Sequence, residues 1–93
     1  MQDERMYPKK CVGFAIREID GETVILNRHS EKIHQLNVTA SYIWNLCNGV
    51  TSIEDIIKAA AGHFGAPIAD IEQDVRRCIL QLQDLGLVEE VGE

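Results

Sequence analysis

Long apolar runs are missing from this 93-residue sequence. No stretch approaches the roughly 18 apolar residues that a membrane-spanning helix needs. The first residues, MQDERMYPKKCVGF, hold no apolar segment of signal-peptide length. The expectation is a soluble, cytoplasmic protein that does not engage a membrane. Paired cysteines are missing as well. Cys11, Cys47 and Cys78 are odd in number, lie 36 and 31 positions apart and form no CxxC or Cys/His cluster. That spacing argues against structural disulfides and against a zinc site, and leaves reduced thiols as the default.

Positive charge is scarce where a nucleic-acid-binding domain would need it. The chain carries a net charge of −6. Residues 1–37 hold six basic and six acidic side chains, whereas residues 38–93 hold three and nine. An acidic body of this kind is a poor surface for a phosphate backbone.

Catalytic signatures are the third absence. There is no GxGxxG, no GxxxxGK[ST] and no HExxH. Glu54-Asp55 falls at a helix start and Glu89-Glu90 near the C-terminus, where carboxylates pair with a helix dipole or face water. His29, His34 and His63 are separated by loops, and no Ser or Cys stands in a motif that would pair with one of them. The expectation is a chain that is not an enzyme and holds no metal or cofactor.

What is present is 45% apolar residues in a pattern, enough for one small domain with one modest core. Residues 1–11 are polar, include Pro8 and show no period, so they read as a flexible arm ahead of a single domain over 12–93. Val12, Phe14 and Ile16 share one face at period two, as do Val24 and Leu26 in the next run. Asp20-Gly21 between them signals a type I′ hairpin, giving strands over 12–19 and 22–28. NRHSEK turns the chain, and Ile33 to Leu36 returns as a short third strand.

After Asn37 the period moves toward 3.6. Asn37 or Thr39 can cap a first helix carrying Tyr42, Ile43, Leu46 and Cys47, stopped at Gly49. Thr51 or Ser52 can cap a second, with Ile53, Ile56, Ile57, Ala60 and Phe64 on one stripe and Gly65 and Pro67 at its end. The third helix, Ile68 to Leu85, has Ile71, Val75, Cys78, Leu82 and Leu85 as its core stripe, widened by Ile79 and closed by Gly86. Leu80 projects away from that stripe. LVEEV can then add a brief extended segment. Three antiparallel strands followed by three helices describe an α+β domain resembling a winged helix-turn-helix.

A winged helix raises DNA recognition, its third helix lying in the major groove. Here Arg76 and Arg77 could read guanine edges, but Asp70, Glu72, Asp74 and Asp84 share their helix and would repel phosphates. A DNA-binding transcriptional regulator is the second reading.

Leu36-Asn37 before a helix with Ile43-Trp44, then NGVTSIEDI (Asn48 to Ile56), then DVRRCILQLQDLGLV (Asp74 to Val88), closely resembles the PqqD-like family of small peptide-binding proteins. The last motif matches throughout except for Cys78, where the family has an aromatic. The resemblance covers about residues 12–91. It implies a recognition element that binds the leader segment of a ribosomally made precursor peptide and presents it to a modifying enzyme, often a radical S-adenosylmethionine maturase. Any cofactor would belong to that enzyme, since this chain lacks the clustered cysteines of an iron–sulfur site. Members dedicated to pyrroloquinoline quinone synthesis carry a Pro-Glu-containing turn before the third strand. This chain has RHSEKI (Arg28 to Ile33) there, which leaves the peptide product open, as it does a homodimer.

The family uses its third strand and third helix as the walls of the peptide groove. Carried onto this sequence, the walls are Ile33, His34, Gln35 and Leu36, and the flank of the third helix containing Arg76, Arg77 and Leu80. An edge strand offers unpaired main-chain groups to which a peptide can add as a further strand. By alternation Leu36 and His34 share one face, Leu36 reading as core, and Ile33 is the better contact candidate. Trp44 is expected to anchor the core.

Overall fold

Asp20 and Gly21 reverse the chain with φ of 54° and 83°, the left-handed pair that a type I′ hairpin turn requires. In the computed structural model, which describes residues 6–92, this turn joins β2 (Phe14–Ile19) to β3 (Glu22–Asn27). A second antiparallel pairing adds β4 (Lys32–Leu36), and the sheet order is β2-β3-β4. Val12, expected within the first strand, precedes it and is exposed.

The cross-strand register fixes the faces. Ile16, Ile25 and His34 stand in one row, and Glu18, Thr23 and Leu36 in another. These rows face the helices: Ile25, Thr23 and Leu36 are buried. Val24 and Leu26 lie on the opposite, half-buried face, so Ile25 between them, with Leu36 of β4, ties the sheet to the core.

Each helix start uses a short polar side chain or a fixed φ. Asn37 caps α1 (Val38–Asn45), its side chain accepting from the Ala40 N–H at 2.8 Å. The buried Ser41 hydroxyl donates back to the Leu36 carbonyl at 3.1 Å and fastens the strand to the helix. Ser52 caps α2 (Ile53–Phe64) by accepting from the Asp55 N–H at 3.1 Å, and Glu54 and Asp55 complement the dipole in its first turn. Gly65, at φ 65°, ends that helix with its N–H on the Ala61 carbonyl. Pro67 precedes α3 (Ile68–Asp84), where no side chain caps.

Two apolar clusters fill the interior. Ile43, Ile56, Ile57, Ala60, Ile71, Val75 and Ile79 pack where the three helices meet. Ile25, Leu36, Trp44, Cys47, Leu82, Leu87 and Val88 pack between sheet and helices. Trp44 is 1% exposed, so the expected anchor is buried. Leu85, expected in the core stripe, is 48% exposed; it is the C-cap of α3, where the helical stripe ends.

The N-terminal segment departs from the expected flexible arm over 1–11. Met6–Lys10 forms β1 and pairs antiparallel with β5 (Val88–Gly92), Tyr7 opposite Val91 and Lys9 opposite Glu89. The remainder of that arm, residues 1–5, lies outside the described residues. The ribbon is also tied to the helices: the Lys10 N–H donates to the Cys47 carbonyl at 3.0 Å, and the Gly49 N–H to the Pro8 carbonyl at 2.8 Å. Pro8 fits because it is buried and uses only its carbonyl. No period marks this segment because its stability comes from pairing with the far end of the chain.

Candidate peptide-binding edge and cleft

In an antiparallel ladder successive residues turn their N–H and C=O groups alternately to one neighbour and then the other. In a two-residue hairpin the flanking residues, here Ile19 and Glu22, form a hydrogen-bonded pair. Counting from there, Leu26 and Val24 bond to β2, while Asn27, Ile25 and Thr23 turn toward β4. Their partners Lys32, His34 and Leu36 are therefore engaged. Ile33 and Gln35 turn their peptide groups outward, and β4 is an edge of its sheet.

The side chains follow from the same alternation. Ile33 stands free, 68% exposed. Gln35 lies on the outer face and donates from Nε2 to the Glu22 carboxylate at 2.9 Å, which holds the edge strand extended. His34 is half-buried on the inner face. Leu36 is buried, so of the four strand residues expected at the site it supplies core rather than side-chain contact.

Beyond Leu36 the edge runs into a cleft of about 150 Å³ lined by Asn37, Thr39, Ala40, Asp74, Arg77, Cys78 and Gln81. At about 100° per residue the four α3 positions share an arc of about 100°. Arg77 Nη1 lies 3.7 Å from Asp74 Oδ1, both side chains being well exposed, so the pair is screened and adaptable. Cys78 and Ala40 supply a small, half-buried, uncharged floor. Burial pushes the Cys78 thiol up to about 11, which keeps that floor neutral.

Arg76 and Leu80 are placed elsewhere. They stand roughly 130° around α3 from the centre of the cleft and line a separate cleft with Ile53, Ile79 and Glu90. Of the three α3 residues expected at a peptide groove, Arg77 alone lines the cleft that continues the β4 edge. Asn37, Thr39, Ala40, Asp74, Cys78 and Gln81, which line this cleft with Arg77, are not among the site residues expected from the sequence. For Cys78 and Gln81 the signal was the helical angle they share with Arg77 on α3, whereas Asn37 and Ala40 belong to the start of α1 and come near Arg77 only through the packing of the two helices.

The family model for coenzyme PQQ synthesis protein D (PqqD) matches residues 22–88, from the start of β3 into β5. The chain belongs to the PqqD family. The matched span of this PqqD-family protein holds β3, β4 and all three helices, and leaves β1 and β2 outside. Its fold is similar to that of TbiB1 in complex with the TbiA(β) leader peptide, at TM-score 0.77 and 25% identity over 87% of this chain and 94% of that one. It is also similar to a lasso peptide synthetase B1 complexed with the leader peptide, at TM-score 0.77 and 20% identity over 89% and 98%. Among curated proteins there is no sequence match. No helix among the described residues is long and apolar enough to cross a membrane.

Proposed function

We propose that this chain binds the leader segment of a ribosomally synthesised precursor peptide as an added strand on β4, and presents it to a peptide-modifying enzyme. The observation that carries the reading is the free edge at Ile33 and Gln35, leading into the cleft beside Arg77 and Cys78. Main-chain pairing supplies affinity without sequence preference, and the cleft selects which side chains follow. The two similar folds are complexes with leader peptides, which supports the same use here. We assign the chemistry to a radical S-adenosylmethionine maturase or a comparable enzyme, which brings its own cofactor. The chain itself is the recognition partner.

A DNA-binding role fits the surface less well. Arg76 Nε is 3.2 Å from Glu72 Oε2 and Arg77 is paired with Asp74, so both arginines of α3 already face carboxylates. Isothermal titration with the leader encoded by a neighbouring short reading frame tests the reading. Binding that persists as salt is raised is expected. Absence of leader binding, or duplex DNA binding that falls steeply with salt, would contradict it.

A further inference from the structure

We infer that the flank of α3 turned away from the leader cleft is a docking surface for a lysine- or arginine-flanked apolar segment of the modifying enzyme, an inference that rests on the function proposed above. Leu80 is 59% exposed, yet it is not an isolated surface residue. With Ile53 and the buried Ile79 it lines a cleft of about 150 Å³ whose rim carries Arg76 and Glu90.

The rim is acidic. Arg76 Nε lies 3.2 Å from Glu72 and its Nη2 4.0 Å from Glu54, so its one positive charge stands among carboxylates that outnumber it. Glu90 stands on the β5 side. Three carboxylates against one guanidinium leave a net −2 around an apolar centre. An apolar knob flanked by cations is the complement of that surface: the knob fills the cleft, and the cations meet charge that is at present only partly balanced. A second copy of the chain would set one acidic rim against another. The leader is directed to the opposite flank, so both surfaces of α3 can be occupied at once, as presentation of a bound peptide requires.

The test titrates isotopically labelled full-length protein with a synthetic amphipathic helix of leucine and lysine, with and without saturating leader. The expected result is amide shifts at Ile53, Leu80 and Glu90, unchanged by leader. Leu80→Ala should weaken helix binding about tenfold, with leader affinity held within about twofold. The inference is overturned if the shifts fall on Asn37 and Gln81, if leader displaces the helix, or if a serine-for-leucine version of the helix binds equally well. Sedimentation showing a dimer that Leu80→Ala dissociates would also overturn it, giving the surface to a second copy. If the parent binds no leader, the proposed function fails; if leader binds and the helix does not, this surface alone fails.

Discussion

Arg76 and Arg77 are neighbours in the chain and stand on different flanks of α3. Arg77 lines the cleft that continues the β4 edge, opposite Asn37 and Ala40. Arg76 faces Ile53 and Glu90, between Glu54 and Glu72. One helix therefore carries two surfaces of different character, and substitutions at adjacent positions should separate them.

Arg77→Glu should weaken leader binding about five- to tenfold, or about 1–1.4 kcal/mol, because it places a second carboxylate beside Asp74 in the cleft. Arg76→Glu should leave it unchanged. Titration calorimetry of the two variants, with circular dichroism to confirm the fold, checks the contrast.

Trp44→Ala should lower stability by about 3–5 kcal/mol, the range for emptying a large buried aromatic site. Trp44 joins the sheet cluster to α1, and Lys10 Nζ lies 5.6 Å from its ring centroid, so β1 should loosen with it. Urea denaturation measures the loss, which is a large share of the stability of a domain this size.

The helix start at Ser52 gives a sharper comparison. Ser52→Ala should cost about 1 kcal/mol through loss of the cap, whereas Thr51→Ala should change stability little. Thermal unfolding of the pair decides between two residues that are equally suitable by type.

Stability should also fall in alkali. Burial pushes the Cys47 thiol up to about 12, aided by Cys78 and opposed by Lys10, and its Sγ rests 3.3 Å from the Ile43 carbonyl. The unfolded thiol ionises near its ordinary value of about 8.5 while the folded one stays protonated. The unfolded state thus sheds a proton first, and stability declines as pH rises from about 9 toward 12. Unfolding midpoints across that window should fall less steeply in Cys47→Ala than in the parent.

The hairpin, the capped helices and the edge strand were legible because each rests on local chemistry: Asp20-Gly21 for the turn, Ser52 and Gly65 for the ends of α2, alternation for Ile33 to Leu36. The β1-β5 ribbon was not, since Tyr7 and Val91 meet only after the chain has folded, and neither segment carries a period of its own. The proposed groove was half legible. Its strand wall, the β4 edge, follows from order in the chain, but which flank of α3 lies beside that edge depends on how the helix is rotated in the core. Leu80 lies off the core stripe, which by itself leaves open whether it meets a leader, a second copy or the N-terminal segment. Two flanks lie off that stripe, and the packing of Ile79 against α2 assigns Leu80 to the other.

The most direct measurement of strand addition is amide hydrogen exchange along β4, free and saturated with leader. His34 and Leu36 already bond to β3 and should exchange slowly in both states, whereas Ile33 and Gln35 should exchange rapidly in the free protein and become protected in the complex. If leader binds while Ile33 and Gln35 stay unprotected, or if protection appears along β2 at Ile16 and Glu18 instead, the peptide does not add to β4 and the assigned edge is wrong.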